Sequence, residues 1–120
     1  MLNLDTHVLV HALQGTVTTR ERALLSKQSW GVSAIVLWEL EKLVQLKRIT
    51  LDLDGPDLQN ILASIQIWPL DLEVARLSTR LDFNGDPADE LIAATSVAHG
   101  IPLLTRDRHI LRSKMVPFAR

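Results

Sequence analysis

Residues Pro87 to His99 carry Leu91, Ile92, Ala93, Ala94, Val97 and Ala98, which leave a helix over this stretch almost no polar face. Such a helix has to be covered by other elements on most sides. Its ends are marked: Asp86 suits the N-cap, Pro87 the first helical position where no N–H is needed, and Gly100 the C-terminal stop. Asp89 falls in the first turn, where the helix dipole favours negative charge. Capping alone accounts for both acids. Their setting strains that account, because two carboxylates at the mouth of a buried helix need partners, and the rest of the chain supplies more acids.

The surrounding elements alternate between strand and helix. Leu2-Asn3-Leu4 reads as a short strand ending at Asp5, with Thr6 capping a helix that carries Val8, Leu9 and Ala12. A polar, Arg-bearing loop from Thr16 leads into a short helix ending near Gln28. Trp30-Gly31-Val32 reads as a second strand, and Ser33 caps a helix from Ala34 to about Lys47. Asp54-Gly55-Pro56 is a turn before a helix over Asp57 to Gln66. Ile67 to Leu70 is extended, and Asp71 caps a helix to about Leu81. After the apolar helix, Ile101 to Thr105 reads as a buried strand, and Met115 to Phe118 as an edge strand that tolerates Pro117. This alternation predicts an α/β fold, a three-layer domain with a mainly parallel central sheet flanked by helices. A chain of 120 residues fits a single domain over 1–120, and 47% hydrophobic with 22% charged residues places it among globular rather than disordered chains. No apolar run approaches 18 residues and nothing before Asp5 resembles a secretion signal, so a soluble, cytoplasmic protein is expected.

Glu39 is the informative position of the Ala34–Lys47 helix. At about 100° per residue, Ile35, Val36, Leu40, Leu43, Val44 and Leu46 share one arc, and Glu39 falls inside it. A carboxylate there must be paired, protonated or bound to a cation, or else lie at the end of the helix that opens to water. Trp38 is the converse, a large aromatic on the polar side, which packs under a loop or marks a partner surface.

Asp5, Glu39, Asp86, Asp89 and Asp107 all stand at strand ends or helix starts. Right-handed crossovers place such ends along one edge of a parallel sheet. Carboxylates converging there repel one another unless divalent cations sit among them. With no Cys in the chain, an all-oxygen set selects Mg²⁺ or Mn²⁺ over zinc. Such a site ionises and orients a water and holds the charge that grows on a phosphodiester leaving oxygen. Thr105 has two uses open to it, orienting that water or capping. His7 is expected to pack beside the first helix.

Four blocks, taken in order, resemble those of PIN-domain ribonucleases, in particular the VapC-type toxins of toxin–antitoxin pairs. They are Leu4-Asp5-Thr6-His7-Val8-Leu9, Ser33 followed by Trp38-Glu39-Leu40, Gly85-Asp86-Pro87-Ala88-Asp89 with Leu91-Ile92-Ala93-Ala94-Thr95, and Leu104-Thr105-Arg106-Asp107. The resemblance spans essentially the whole chain. It implies a Mg²⁺- or Mn²⁺-dependent endoribonuclease acting on structured RNA, held inactive by a cognate antitoxin whose tail lies across the acidic cleft, and commonly a homodimer. It carries Asp5, Glu39, Asp89 and Asp107 over as the catalytic, metal-binding acids. Asp86 carries over as an accessory acid or cap, and Thr6 and Thr105 as supporting polar groups. Two positions depart from the pattern: Asn84 stands where a His is often found, and Glu90 where an Arg often follows the third acid.

With a formal net charge of −1, the whole-molecule field says nothing about nucleic acid. Cations do gather late in the chain, and Arg106, Arg108, Arg112 and Lys114 are candidates for contact with RNA phosphates, with solvated surface charge as the competing use. Two other classes gather acids in this way. A receiver-like phosphoacceptor module normally needs adjacent acids near the first strand and a late Lys at a strand end, whereas Asp5 lies between Leu4 and Thr6. A non-catalytic α/β interaction module whose acids are helix caps fits Asp86 and Asp89 but handles Glu39 poorly.

Overall fold

The computed structural model describes all 120 residues, Met1–Arg120. Its elements run β1 (Leu2–Leu4), α1 (Thr6–Gln14), α2 (Thr19–Lys27), β2 (Trp30–Ser33), α3 (Ala34–Gln45), α4 (Pro56–Ser64), β3 (Gln66–Trp68), α5 (Leu72–Ser78), α6 (Pro87–His99) and β4 (Leu103–Leu104). A 3₁₀ turn over Ile110–Arg112 follows. The four strands form one sheet in the order β3-β2-β1-β4, and every pairing is parallel. Parallel neighbours need helical crossovers, which the intervening helices supply. The chain first builds outward from β1 to β2 and β3, then returns to add β4 on the other side of β1. The direction of growth therefore reverses between β1 and β4, and in open α/β sheets ligands bind beyond the strand ends at such a reversal.

Both faces of the sheet are covered, as the α/β expectation requires. Side chains alternate along β1, so Asn3 points to one face while Leu2 and Leu4 point to the other, and all three are fully buried. Asn3 turns toward α6, where its Nδ2 donates to the Ile92 carbonyl (3.1 Å) and to Ser96 Oγ (2.9 Å). The apolar helix is sandwiched as its composition demands: α6 packs against α3, α5 and β2, with Ile92, Ala93 and Ala94 fully buried.

Several boundaries differ from the sequence expectation, each for a local reason. Asp5, not Thr6, caps α1: its Oδ1 accepts the Thr6 amide (2.8 Å), and Thr6 is the first helical residue. α3 stops at Gln45, just before Lys47 enters the left-handed region with φ +58°. α4 starts and ends earlier than expected, with Pro56 at its first position, and α5 ends at Ser78 rather than near Leu81. β4 keeps only Leu103 and Leu104. The expected edge strand over Met115 to Phe118 shrinks to a single bridge between Leu103 and Phe118. There the Leu103 amide donates to the Pro117 carbonyl (2.8 Å) and the Ala119 amide to the Leu103 carbonyl (3.0 Å). Pro117 has no N–H to give, so the ladder does not propagate.

Gly31 sits where the β2–β3 pairing passes beneath the buried Trp68. A Cβ at Gly31 would stand 2.4 Å from the Trp68 ring and 3.1 Å from the Gln66 carbonyl oxygen. Gly31→Ala should therefore cost about 1–3 kcal/mol by overpacking, and Trp68→Leu in the same background should recover part of that loss. Urea unfolding of the parent and the two variants measures it; a Gly31→Ala protein as stable as the parent would contradict the packing described.

Candidate active site

Asp5 leaves the end of β1 buried, with one hydrogen bond to each carboxylate oxygen. While Oδ1 holds the Thr6 amide, Oδ2 accepts the hydroxyl proton of Thr105 at 2.6 Å. Burial pushes its carboxyl above the usual range; the bonds from Thr105 and Thr6 and the nearby His7 pull it back, and Asp107 pushes it up again. The Thr105 oxygen also accepts the Asp107 amide (3.0 Å), so one hydroxyl ties two acids together across the β1–β4 reversal. Asp107 in turn uses Oδ1 to accept the His109 (2.8 Å) and Ile110 (3.2 Å) amides, which starts the 3₁₀ turn. The capping expected as one use of Thr105 falls to Asp107 instead, and Thr105 bonds Asp5 and the Asp107 amide.

Glu39 lies half-buried on α3, and the Thr6 hydroxyl donates to its Oε1 at 2.5 Å. Burial raises its carboxyl, the Thr6 bond lowers it, and Asp5 and Asp86 both raise it further. Thr6 thus joins α1 to α3 at the level of the acids. Asp86 occupies the N-cap position of α6 as expected, but its side chain makes no capping bond, so the capping account fails for it. Asp89, one turn into α6, is pushed up to about 7, first by burial and then by Asp5, Asp107, Glu39 and Asp86 in that order. The other four sequence candidates therefore all lie within electrostatic reach of Asp89.

No lysine or arginine pairs with these acids. The chain holds a single ion pair, in which Arg106 Nη2 meets Glu21 Oε1 at 2.6 Å, and Arg106 Nε also donates to Oε2 at 2.7 Å. Arg106, a candidate for RNA contact, therefore has its charge taken up by Glu21, whose carboxyl is drawn down to about 2, chiefly by that bond. Glu21 also completes a capping box with Thr18 at the start of α2. The Thr18-x-x-Glu21 spacing was readable in the sequence, but its pairing with a residue 85 positions away was not. Arg108, Arg112 and Lys114 are exposed. His7 is exposed too, instead of packed, and it stands close enough to Asp5 and Glu39 to favour their charged forms. Trp38 does not pack under a loop: it is 55% exposed, with the Lys42 ammonium 5.9 Å from its ring centre.

The donor set is the chemistry of a hard divalent cation: carboxylate oxygens only, partly desolvated, crowded around Asp89 and without a lysine or arginine among them. No three of the Asp, Glu and His side chains close tightly enough to enclose an ion by themselves. That open arrangement suits Mg²⁺, which usually takes one or two carboxylates and keeps several waters.

The parallel sheet in the order β3-β2-β1-β4, flanked by helices, is an architecture shared with known proteins. Residues 3–114 match the PIN domain family, and the chain belongs to it. It is 38% identical over 90 residues to Ribonuclease VapC22 of Mycobacterium tuberculosis (strain ATCC 25618 / H37Rv), an alignment covering 72% of this chain and 68% of that protein. In fold it is similar to a chain of VapBC2 from Rickettsia felis bound to a promoter DNA fragment, with a TM-score of 0.74, 19% identity, and coverage of 99% and 98% of the two chains. It is likewise similar to a chain of FitAcB from Neisseria gonorrhoeae, with a TM-score of 0.72, 24% identity, and coverage of 99% and 97%.

The Asp89 environment has a consequence for stability. Its carboxyl is raised in the folded chain from an ordinary 3.8 to about 7. The stability this confers is complete below the ordinary value and is lost as pH rises through about 7. In divalent-free buffer, Asp89→Asn should flatten that fall and exceed the parent by about 1–3 kcal/mol near pH 8, a range reduced for partial exposure. Urea unfolding with chelator between about pH 4 and 9 tests this. A variant less stable than the parent at pH 8 would mean that the carboxylate has a favourable partner.

Proposed function

We propose that this chain is a Mg²⁺- or Mn²⁺-dependent endoribonuclease, the toxin component of a type II toxin–antitoxin pair. The observation that carries the reading is the gathering of Asp5, Glu39, Asp86 and Asp107 around Asp89. The Asp89 carboxyl is pushed up to about 7 first by burial and then by those four acids, with no Lys or Arg paired to any of the five. Capping explains neither that crowding nor a half-buried Glu39. The 38% identity with a ribonuclease over 72% of the chain, and fold likeness to a chain of a toxin–antitoxin complex from Klebsiella pneumoniae, support the substrate class and the partner.

In this reading Asp5, Glu39, Asp89 and Asp107 would hold the metal, one or two directly and the others through its waters, with Asp86 as an accessory acid. A divalent ion bound there supplies positive charge to the phosphodiester and lowers the pKa of water. The chain's own groups prepare the oxygens. The Thr105 hydroxyl hydrogen-bonds to Asp5 Oδ2 and the Thr6 hydroxyl to Glu39 Oε1, which orients both carboxylates and offsets part of the burial that raises them. Exposed Arg108, Arg112 and Lys114 meet phosphates flanking the cut, while Arg106 serves the scaffold through Glu21. The protein works in the cytoplasm as one domain over 1–120, pairs as a homodimer, and is silenced by an antitoxin segment lying across the acids. No helix is long and apolar enough to cross a membrane, which accords with that location. The receiver-like alternative lacks its cation, since Arg106 at the end of β4 is bonded to Glu21.

Purified protein should cleave RNA with Mg²⁺ or Mn²⁺ and stop when chelator is added. Asp5→Asn and Asp89→Asn should each lower the rate at least about 100-fold while circular dichroism shows an intact fold. Cleavage that persists without divalent ions, or full activity in both variants, rejects the mechanism; covalent labelling of one Asp by a phosphodonor would favour the receiver-like class instead.

A further inference from the structure

The segment between α5 and α6 leads directly into Asp86 and Asp89, and it is fastened to the segment that carries Asp107. Asp82 accepts the Ser113 hydroxyl at 2.5 Å and the Lys114 amide at 2.7 Å. Ser113 Oγ then accepts the Met115 (3.1 Å) and Val116 (3.2 Å) amides, closing the chain just beyond the 3₁₀ turn. At the other end of that turn, His109 Nε2 bonds the Asn84 carbonyl. A carbonyl only accepts, so Nε2 carries the proton. The His109 ring also meets Phe83 edge-on, with centroids 5.8 Å apart at 89°. The backbone amide of the same His109 donates to Asp107 Oδ1. One residue therefore grips Asp107 through its main chain and the approach to α6 through its ring.

We propose that Asp82, Ser113 and His109 are positioning residues: they form a strap that sets the separation of Asp89 and Asp107, and with it the affinity of the site for a divalent cation. The inference rests on the metal-dependent reading above and goes beyond it. A strap is needed here for two reasons. Asp89 and Asp107 repel each other, and no hydrogen bond joins their side chains. The Asp107 segment is also weakly anchored from below, since β4 has two residues and its outer edge carries one bridge. Groups that orient metal ligands without touching the metal are commonly worth about 10–100-fold in metal affinity.

The test is Mn²⁺ binding to folded protein without RNA, read as loss of the free Mn²⁺ signal in electron paramagnetic resonance. His109→Phe keeps a ring against Phe83 but loses the donor to Asn84, and Ser113→Ala loses the donor to Asp82; neither removes a carboxylate. Each should weaken Mn²⁺ binding about 10-fold, the double variant more, and His109→Gln, whose amide N–H can reach a carbonyl, should restore most of it. A role confined to folding would lower the melting temperature and leave the Mn²⁺ dissociation constant of the folded protein unchanged. If His109→Phe and the double variant bind Mn²⁺ as the parent does, while Asp89→Asn abolishes binding, the strap is overturned and the reading of the site stands. A parent that binds no Mn²⁺ overturns both.

Discussion

Like-charge repulsion among desolvated carboxylates is the constraint around which this molecule is built. Asp5, Glu39, Asp86, Asp89 and Asp107 come from four separate stretches of chain, and folding brings them together against their own electrostatics. A fold that only needed stability would place an arginine or lysine among them or replace them with apolar groups. Here the opposition is carried by the scaffold. The central strands and α6 are buried in a continuous apolar core, whose burial offsets a locally unfavourable cluster at its edge.

The acids are held by neutral donors instead of cations. Thr6 and Thr105 each use one hydroxyl to bind an acid from another element, and backbone amides take up Asp5 Oδ1 and Asp107 Oδ1. Neutral donors orient an oxygen and leave its negative charge in place, which a site for a metal ion requires. The one strong ion pair, between Glu21 and Arg106, lies outside the acid cluster and joins the start of α2 to the end of β4. The buried Asn3 has a comparable structural task in fastening β1 to α6, although its Oδ1 has no partner.

How much was legible in the chain depended on the range of the interaction concerned. The ends of α6 were readable because Asp86-Pro87 and Gly100 act locally, and Ser33 and Asp71 announced the helices they cap for the same reason. Glu39 was singled out because a charge on an apolar arc is a contradiction that periodicity exposes. Local reasoning failed where two uses compete for one side chain. Asp5 took the cap assigned to Thr6, which freed the Thr6 hydroxyl for Glu39, and Asp86 sits at a cap without bonding as one. Met115 to Phe118 resembled a strand, but Pro117 reduced its pairing to a single bridge.

The sequence by itself determined the alternation of strands and helices, the apolar character of α6 and the identity of the acids, because each depends on neighbours within a turn or two. Only the tertiary structure decided which charges meet. It gave Arg106 to Glu21, brought His7 near Asp5 and Glu39, and set His109 against Asn84. Those contacts follow from the order β3-β2-β1-β4, which lays the ends of β1 and β4 side by side across some 100 residues of chain. The physical reason is that a side chain's partner is chosen by distance in space and by the cost of leaving a buried polar group unpaired, and neither quantity is written in its immediate neighbours.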